Sequence, residues 1–211
     1  MKQLFLTSTI KSVAKDIAKK LGDEVKKPGV YITTSFMYKP QVVQDWQVRN
    51  RSSLIDAGFN MVDYDISDKS SDEIEKDLSK YEIMYVEGGN APYLLQKTQQ
   101  NNFGQYVKRR VEEGMVFIST SAGSIIAGPN ISSADRPGKT AKDYGLTSTT
   151  GFGLVNYVVM PHWGDLEKKT SYIDHHIPSS YNEDYPYILL TDNQYVKVKD
   201  DWYQIVDVSK E

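Results

Sequence analysis

Ser121 stands where a serine hydroxyl could act as a nucleophile. The apolar run 115–118 is followed by Ser119-Thr120-Ser121-Ala122-Gly123, and a helix-forming stretch, 124–127, comes next. A strand that turns sharply into a helix at a serine exposes that hydroxyl at the edge of the sheet. The pattern therefore predicts a nucleophile elbow with Ser121 at its tip. The alternative is that Ser121 only caps the helix.

A serine nucleophile needs a base that takes its proton, and the chain contains three histidines. His162 directly follows a predicted strand, so it would lie at the sheet edge where ligand crevices form. His175 and His176 are adjacent in a predicted helix, where we expect surface or packing positions. Adjacent helical residues point about 100° apart, so this pair does not predict a metal site. His162 is the candidate general base.

An acidic residue is needed to orient the imidazole and to stabilise its positive form. Asp192 follows the apolar segment 187–190 and is the first candidate. Asp165 is the competitor, although a residue so close to His162 in sequence could simply cap a turn. The sequence leaves both aspartates open.

Backbone N–H groups must stabilise the negative oxygen that forms when a hydroxyl attacks a carbonyl. The N–H of Ala122, directly after the nucleophile, is one natural donor. Gly88 and Gly89 follow a predicted strand and could supply a second donor, because glycine allows a close approach of the backbone. A tight turn would also explain these two glycines.

The composition predicts an ordinary globular protein. The chain has 211 residues, of which 39% are hydrophobic and 25% charged, with a net charge of −3 and no cysteine. Such a chain offers no general attraction to nucleic acid or to anionic membranes, and no apolar run approaches the ~18 residues of a membrane helix. We expect a soluble, cytoplasmic protein without a cofactor, forming a single domain over 1–211. Its fifteen tyrosines are compatible with homo-oligomers.

Apolar runs alternate with helical patterns along most of the chain. This alternation predicts βαβ units and a mainly parallel sheet covered by helices on both faces. The composition of segment 129–153, rich in Ser, Thr, Gly and Asp, predicts either a long functional loop or a loosely structured segment. The tail alternates like a hairpin, with Asp200-Asp201 at a turn. The predicted strands are 4–6, 29–34, 60–64, 83–86, 115–118, 156–160, 187–190 and 195–198, and the predicted helices cover 10–21, Val42 to about Gly58, 70–74 onward and 92–111.

Four segments together resemble the serine peptidases of the dipeptidase E type, which include cyanophycinase-like enzymes. They are 86–90 (VEGGN), 119–123 (STSAG), 160–162 (MPH) and 190–192 (LTD), and the resemblance covers most of the chain. It implies a three-layer α/β/α sandwich, like class I glutamine amidotransferases but with serine in place of cysteine.

The resemblance also implies roles for individual residues. Ser121 would be the nucleophile, His162 the base and Asp192 the acidic member. Gly88 or Gly89 would furnish an oxyanion donor, and Asn90 would contact the substrate.

The chain departs from the family pattern at two places. Ser119 stands where the family usually has glycine, two residues before the nucleophile. The aspartyl dipeptidases also carry an arginine after the histidine. In this chain, the segment 163–187 contains two lysines, Lys168 and Lys169, and no arginine. A lysine cannot reproduce a bidentate fork, which argues against a preference for N-terminal aspartate. The expected pocket residues are instead Trp163, Tyr172 and these lysines.

These observations favour a serine-type hydrolase that cleaves short peptides through an acyl-enzyme on Ser121. An esterase or deacylase could use the same groups. A binding or regulatory protein that has lost catalysis is the third hypothesis, motivated by Ser119 and the missing arginine.

Overall fold

The structure, a computed structural model, describes residues 1–38, 43–136, 138–167, 169–181 and 184–210. Within these residues, seven strands form one sheet in the order β3-β2-β4-β5-β1-β8-β9, and β6 and β7 form a separate parallel pair. Strands β3, β2, β4, β5 and β1 run parallel, whereas β8 and β9 are antiparallel to their neighbours. The strands are β1 Gln3–Thr7, β2 Gly29–Ile32, β3 Met61–Tyr64, β4 Ile83–Val86, β5 Val116–Thr120, β6 Val158–Met160, β7 Tyr187–Leu189, β8 Gln194–Lys199 and β9 Trp202–Asp207.

Helices cover both faces of the large sheet. Successive side chains of β1 point to opposite faces of the sheet. Leu4 and Leu6 pack into one hydrophobic cluster with the helices between residues 71 and 126, and Phe5 packs into another with the helices between residues 10 and 56. The fold is therefore a three-layer α/β/α sandwich, as the sequence predicts. The helices are α1 Ile10–Leu21, α2 Asp45–Asp56, α3 Ser71–Leu78, α4 Ala91–Gln100, α5 Phe103–Glu112, α6 Ala122–Ile126, α7 Lys169–Ser171 and α8 Ile177–Ser180, with a π-helical turn at Tyr172–His176 between the last two.

Local sequence signals account for several helix boundaries. Ser70 and Glu73 form the predicted start of α3, because the Ser70 hydroxyl accepts from the Glu73 N–H and the Glu73 carboxylate accepts from the Ser70 N–H. The predicted helix 92–111 is divided into α4 and α5, since Asn102 takes a left-handed conformation with φ of 56°. Helix α2 begins at Asp45, and Val42 lies outside the described residues.

The end of the chain differs most from the sequence-based expectation. Segment 195–198 does form a hairpin, with β9 after the turn at Asp200 and Asp201, but 187–190 does not join it. Instead, β7 pairs in parallel with β6, away from the large sheet. His162 therefore follows a strand of the small sheet. Among the described residues, no helix combines the length and apolar character that a bilayer crossing requires.

Candidate active site

Ser121 occupies a strained turn between β5 and α6. Its backbone has φ of 49° and ψ of −112°, and its N–H donates to the carbonyl of Thr7 at 3.1 Å. The side chain makes no capping hydrogen bond to α6, so helix capping does not explain this serine. Gly123 makes the turn possible, because a Cβ there would lie 2.3 Å from the Val86 carbonyl oxygen.

The small parallel sheet places His162 beside Asp192. Met160 of β6 and Leu189 of β7 are in register, and the pairing extends beyond the strands. The Leu190 N–H donates to the Met160 carbonyl, and the Trp163 N–H donates to the Leu190 carbonyl, each at 2.9 Å. The residues that follow the two strands consequently lie side by side.

Ser121, His162 and Asp192 form a continuous hydrogen-bonded chain. The Ser121 Oγ lies 3.1 Å from His162 Nε2, and Asp192 Oδ1 lies 2.8 Å from His162 Nδ1. An ionised carboxylate only accepts, so Asp192 places the imidazole proton on Nδ1 and leaves Nε2 free to accept from the serine. His162 itself has φ of 62°, a conformation that costs energy for a residue other than glycine.

Ser8, which the sequence analysis did not single out, links the backbone of His162 to Asp192. Its hydroxyl accepts from the His162 N–H at 2.7 Å and donates to Asp192 Oδ1 at 2.7 Å. Ser8 follows β1 directly. A polar residue at the carboxyl end of a buried parallel strand is the signal that could have indicated it.

Asp165, the competing aspartate, belongs to a local turn. Its Oδ1 accepts from the Glu167 N–H at 3.0 Å, and its own N–H donates to the His162 carbonyl at 3.3 Å. The carboxylate on the imidazole is that of Asp192.

The candidate oxyanion donors surround Ser121. Ala122 is the first residue of α6, so its N–H has no partner within the helix. A Cβ on Gly88 would lie 3.0 Å from the Ser121 Cβ, which shows how closely this backbone approaches the serine. The Gly88 N–H, however, donates to Glu87 Oε1 at 2.6 Å. Gly89 makes no backbone or side-chain hydrogen bond through its N–H to any residue in the described ranges, and it remains the second candidate donor.

Glu87 is a fully buried carboxyl group at the end of β4. Besides Gly88, its oxygens accept from Asn50 Nδ2 at 3.0 Å, from the Tyr85 hydroxyl at 3.1 Å and from the Tyr31 hydroxyl. Burial raises the pKa of Glu87 to about 7, although these hydrogen bonds oppose the shift. In the sequence, Glu87 stands in the motif at 86–90 without a predicted role.

The three triad residues open onto a cleft of about 560 Å³. Arg136, from the long loop after α6, lines this cleft together with Lys11 of α1. Arg136 is exposed, and it lies outside the segment 163–187, which contains no arginine. The segment 129–153 thus reaches the cleft through Arg136, and its described part contains short 3-10 turns at Ser132–Ala134 and Lys142–Tyr144.

The predicted substrate contacts at Asn90 and Trp163 are not part of this cleft. Asn90 caps α4 by accepting from the Tyr93 N–H at 2.9 Å, and its Nδ2 donates to the Tyr144 hydroxyl. Trp163 packs edge-on against Tyr172, with ring centroids 6.0 Å apart. Asn90 nevertheless lines a small cavity together with Gly89, Ser121 and Arg136. Its contact with substrate stays a prediction, as does that of Trp163.

The other expected pocket residues also lie elsewhere. Tyr172 is buried and donates its hydroxyl to the Pro161 carbonyl, just before His162. Lys169 is exposed in α7, and Lys168 lies outside the described residues. His176 is buried and its Nδ1 contacts the Ser133 carbonyl at 2.9 Å, whereas His175 is exposed.

Ser119 fits the turn without disturbing it. Its side chain is fully buried, and its hydroxyl shares a 2.9 Å hydrogen bond with the hydroxyl of Ser124. Ser124 in turn donates to the Thr7 carbonyl at 2.8 Å. The hydroxyl that replaces the usual glycine is thus satisfied inside the strand–helix junction.

Comparison with known proteins identifies the family. The model of peptidase family S51 matches residues 4–206. The chain belongs to this family. Family S51 membership makes it a serine-type peptidase, in agreement with the resemblance found in the sequence. An uncharacterised peptidase of Listeria innocua is 27% identical to the chain, over 95% of this chain and 94% of its own length. One of Listeria monocytogenes is 28% identical, over 80% and 82%. One of Pasteurella multocida is 29% identical, over 77% and 78%.

Solved structures show the same fold as this S51 member. A peptidase E candidate from Listeria monocytogenes superposes with a TM-score of 0.85 over 99% of both chains, at 23% identity. A peptidase from an acI-B1 actinobacterium gives a TM-score of 0.67 at 17% identity, over 98% of this chain and 88% of that one. At these identities the likeness supports the three-layer fold alone.

Proposed function

We propose that the protein hydrolyses short peptides through an acyl-enzyme on Ser121. The observation that carries the proposal is the hydrogen-bonded chain from the Ser121 hydroxyl through His162 to Asp192. These three hydrogen-bonded residues provide a nucleophile, a base in the correct tautomer and a carboxylate that stabilises the imidazolium.

The reaction would proceed in two halves. The Ser121 Oγ attacks the scissile carbonyl carbon while His162 Nε2 takes the hydroxyl proton. The negative oxygen of the tetrahedral intermediate accepts from the N–H groups of Ala122 and Gly89. The intermediate collapses as His162 gives its proton to the leaving amine. Water then attacks the acyl-enzyme with His162 as base, which releases the acid and restores Ser121.

The cleft favours a small substrate with a negative charge at one end. Its volume of about 560 Å³ is that of a small-molecule site. Arg136 provides a planar guanidinium, which can bind a carboxylate with two hydrogen bonds. We therefore propose unblocked dipeptides and tripeptides, with a free carboxylate near Arg136, as substrates.

The first test is the Ser121→Ala variant with a dipeptide library. Hydrolysis should fall by at least about 10³-fold, because removal of the nucleophile leaves only binding and oxyanion stabilisation. Labelling by a fluorophosphonate should occur in the wild type and disappear in the variant. A matched control is Ser53→Ala, which removes an exposed hydroxyl on α2. Unchanged hydrolysis in Ser121→Ala would refute the proposal.

Two further comparisons test the substrate class. Free dipeptides should be cleaved faster than the same dipeptides with amidated C-termini, if Arg136 binds the carboxylate. Faster turnover of p-nitrophenyl esters than of any peptide would instead favour the esterase or deacylase hypothesis. A wild-type protein that neither reacts with fluorophosphonate nor cleaves peptides would favour a silent binding protein.

A further inference from the structure

We propose that Glu87 and Ser35 are positioning residues that hold the Gly88–Gly89 peptide so that the Gly89 N–H faces the oxyanion. We call this pair of side chains the glycine clamp. The inference rests on the proposed function, and it adds two residues to which neither the sequence motif nor the family assigns this task.

The clamp holds Gly88 from both ends. The Gly88 N–H donates to Glu87 Oε1 at 2.6 Å, and the Ser35 Oγ donates to the Gly88 carbonyl at 2.5 Å. All three residues lie at the carboxyl end of the sheet, where β4 ends and the segment after β2 passes. Ser35 and Glu87 are both fully buried, so water does not compete for these hydrogen bonds.

The clamp determines the direction of the Gly89 N–H. No described peptide bond is cis, and in a trans peptide the C=O and N–H point in opposite directions. The Gly88 carbonyl points toward Ser35, from which it accepts a hydrogen bond. The Gly89 N–H, which belongs to the same peptide group, therefore points away from Ser35. Ser121 approaches Gly88 so closely that a Cβ there would lie 3.0 Å from the Ser121 Cβ.

Two consecutive glycines would otherwise rotate easily. Gly89 has φ of 143°, and a Cβ on it would lie 2.6 Å from the Ser35 carbonyl oxygen. Glycine is needed for this conformation and close approach, but glycine also makes a flipped peptide inexpensive. A flip would turn the carbonyl of Gly88 toward the developing negative charge. The clamp removes this freedom.

The surroundings of Glu87 point to a function beyond packing. A buried carboxyl group destabilises a fold unless donors surround it. In the described part of the chain, Glu87 has Tyr31 on β2, Tyr85 on β4 and Asn50 on α2 as side-chain donors, and no lysine or arginine pairs with it. Arg51 lies over the ring of Tyr31, one of these donors, and pairs with Asp63. Three side chains thus hold the carboxyl whose oxygen receives the Gly88 N–H.

The experiment compares four variants: Ser35→Ala, Glu87→Leu, Glu87→Gln and Tyr64→Phe. Ser35→Ala and Glu87→Leu each remove one arm of the clamp. Glu87→Gln keeps an oxygen that can accept from Gly88. Tyr64→Phe is the matched control, since it removes a tyrosine hydroxyl that donates to a carboxylate, that of Asp77 at 2.9 Å, without touching Gly88, Glu87 or Ser35. The substrate is the dipeptide that the wild type cleaves fastest, and the inhibitor is the amino aldehyde corresponding to its N-terminal residue.

We expect Ser35→Ala and Glu87→Leu to lower kcat about 10- to 100-fold with little change in KM, because the oxyanion contact exists mainly in the transition state. Affinity for the aldehyde, which forms a tetrahedral adduct with Ser121, should fall by a similar factor. Glu87→Gln should recover most of kcat. Tyr64→Phe should lower the melting temperature while kcat stays within about twofold of the wild type. Ser35→Ala keeps the test decisive if Glu87→Leu does not fold.

A folded Ser35→Ala variant with the kcat and the aldehyde affinity of the wild type would overturn the clamp. A loss of kcat in Tyr64→Phe as large as that in Ser35→Ala would also overturn it. Failure of the proposed function would give a different result, namely hydrolysis that survives in Ser121→Ala. In that case the inference about the clamp would fail as well, because it rests on the proposed function.

Discussion

At the scale of single residues, the site depends on short polar contacts between groups from separate segments. Ser8 follows β1, Ser121 follows β5, His162 follows β6 and Asp192 follows β7. Each contact joins residues at least 30 positions apart in the chain. Loss of one contact should therefore change catalysis more than it changes the stability of any local element.

Asp192→Asn should lower kcat/KM by about 10³- to 10⁴-fold. The amide can donate to Nδ1 and so favours the tautomer in which Nε2 carries the proton and cannot accept from Ser121. The control is Asp165→Asn, which alters a carboxylate that accepts from the Glu167 N–H in a local turn and should stay within about threefold of the wild type. Steady-state kinetics on one dipeptide will check both variants, and a larger loss in Asp165→Asn would exchange the roles of the two aspartates.

Ser8→Ala should lower kcat by about tenfold with KM nearly unchanged. The variant removes the hydroxyl that joins the His162 N–H to Asp192, and a hydrogen bond to a charged group contributes about 1.5–3 kcal/mol. Kinetics and thermal melting should be measured together. A fall in melting temperature without a change in kcat would show that Ser8 acts on stability alone.

At the scale of elements, the strand–helix junction at Ser121 is fixed by its contact with β4. Gly123 lies directly against the Val86 carbonyl, and the buried hydroxyls of Ser119 and Ser124 connect β5 to α6 and β1. The junction is a tightly packed unit, so a change in one of its small residues should displace the nucleophile.

Gly123→Ala should destabilise the protein by about 2–3 kcal/mol, because overpacking forces the backbone to move. A Cβ at this position would lie 2.3 Å from the Val86 oxygen. Gly58→Ala is the comparison: it has φ of 95° but open space around its Cβ, so we expect only about 1 kcal/mol of conformational strain. Urea unfolding measures both values, and equal losses would contradict the packing argument.

At the scale of the whole molecule, Glu87 makes stability depend on pH. Its pKa is raised from 4.5 to about 7 by burial, so between these values the native state keeps a proton that the unfolded state has lost. Stability contributed by this group is fully present below pH 4.5 and decreases as the pH rises to about 7.

The wild type should therefore lose about 3 kcal/mol relative to Glu87→Gln between pH 4.5 and pH 8, from about 1.4 kcal/mol per pKa unit. Glutamine does not titrate, so the difference between the two free energies of unfolding isolates Glu87 from other groups. Urea unfolding at several pH values measures this difference. A difference that is constant with pH would show that Glu87 has an ordinary pKa.

The sequence by itself determined the sandwich class, the elbow and the identity of Ser121, His162 and Asp192 as candidates. These follow from local patterns: alternating apolar runs, a small-residue turn after a strand, and polar residues directly after apolar segments. The family comparison confirms the peptidase class, whereas the roles of the individual residues stay proposals.

Only the tertiary structure decided which distant groups meet. It separated β6 and β7 from the large sheet, placed Asp192 rather than Asp165 on the imidazole, added Ser8 and Arg136 to the site, and gave the Gly88 N–H to Glu87. Hydrogen bonds and charges act over a few ångströms in space, whereas local sequence patterns report only on neighbours along the chain. The choice among several equally polar candidates therefore belongs to the packing of the whole fold.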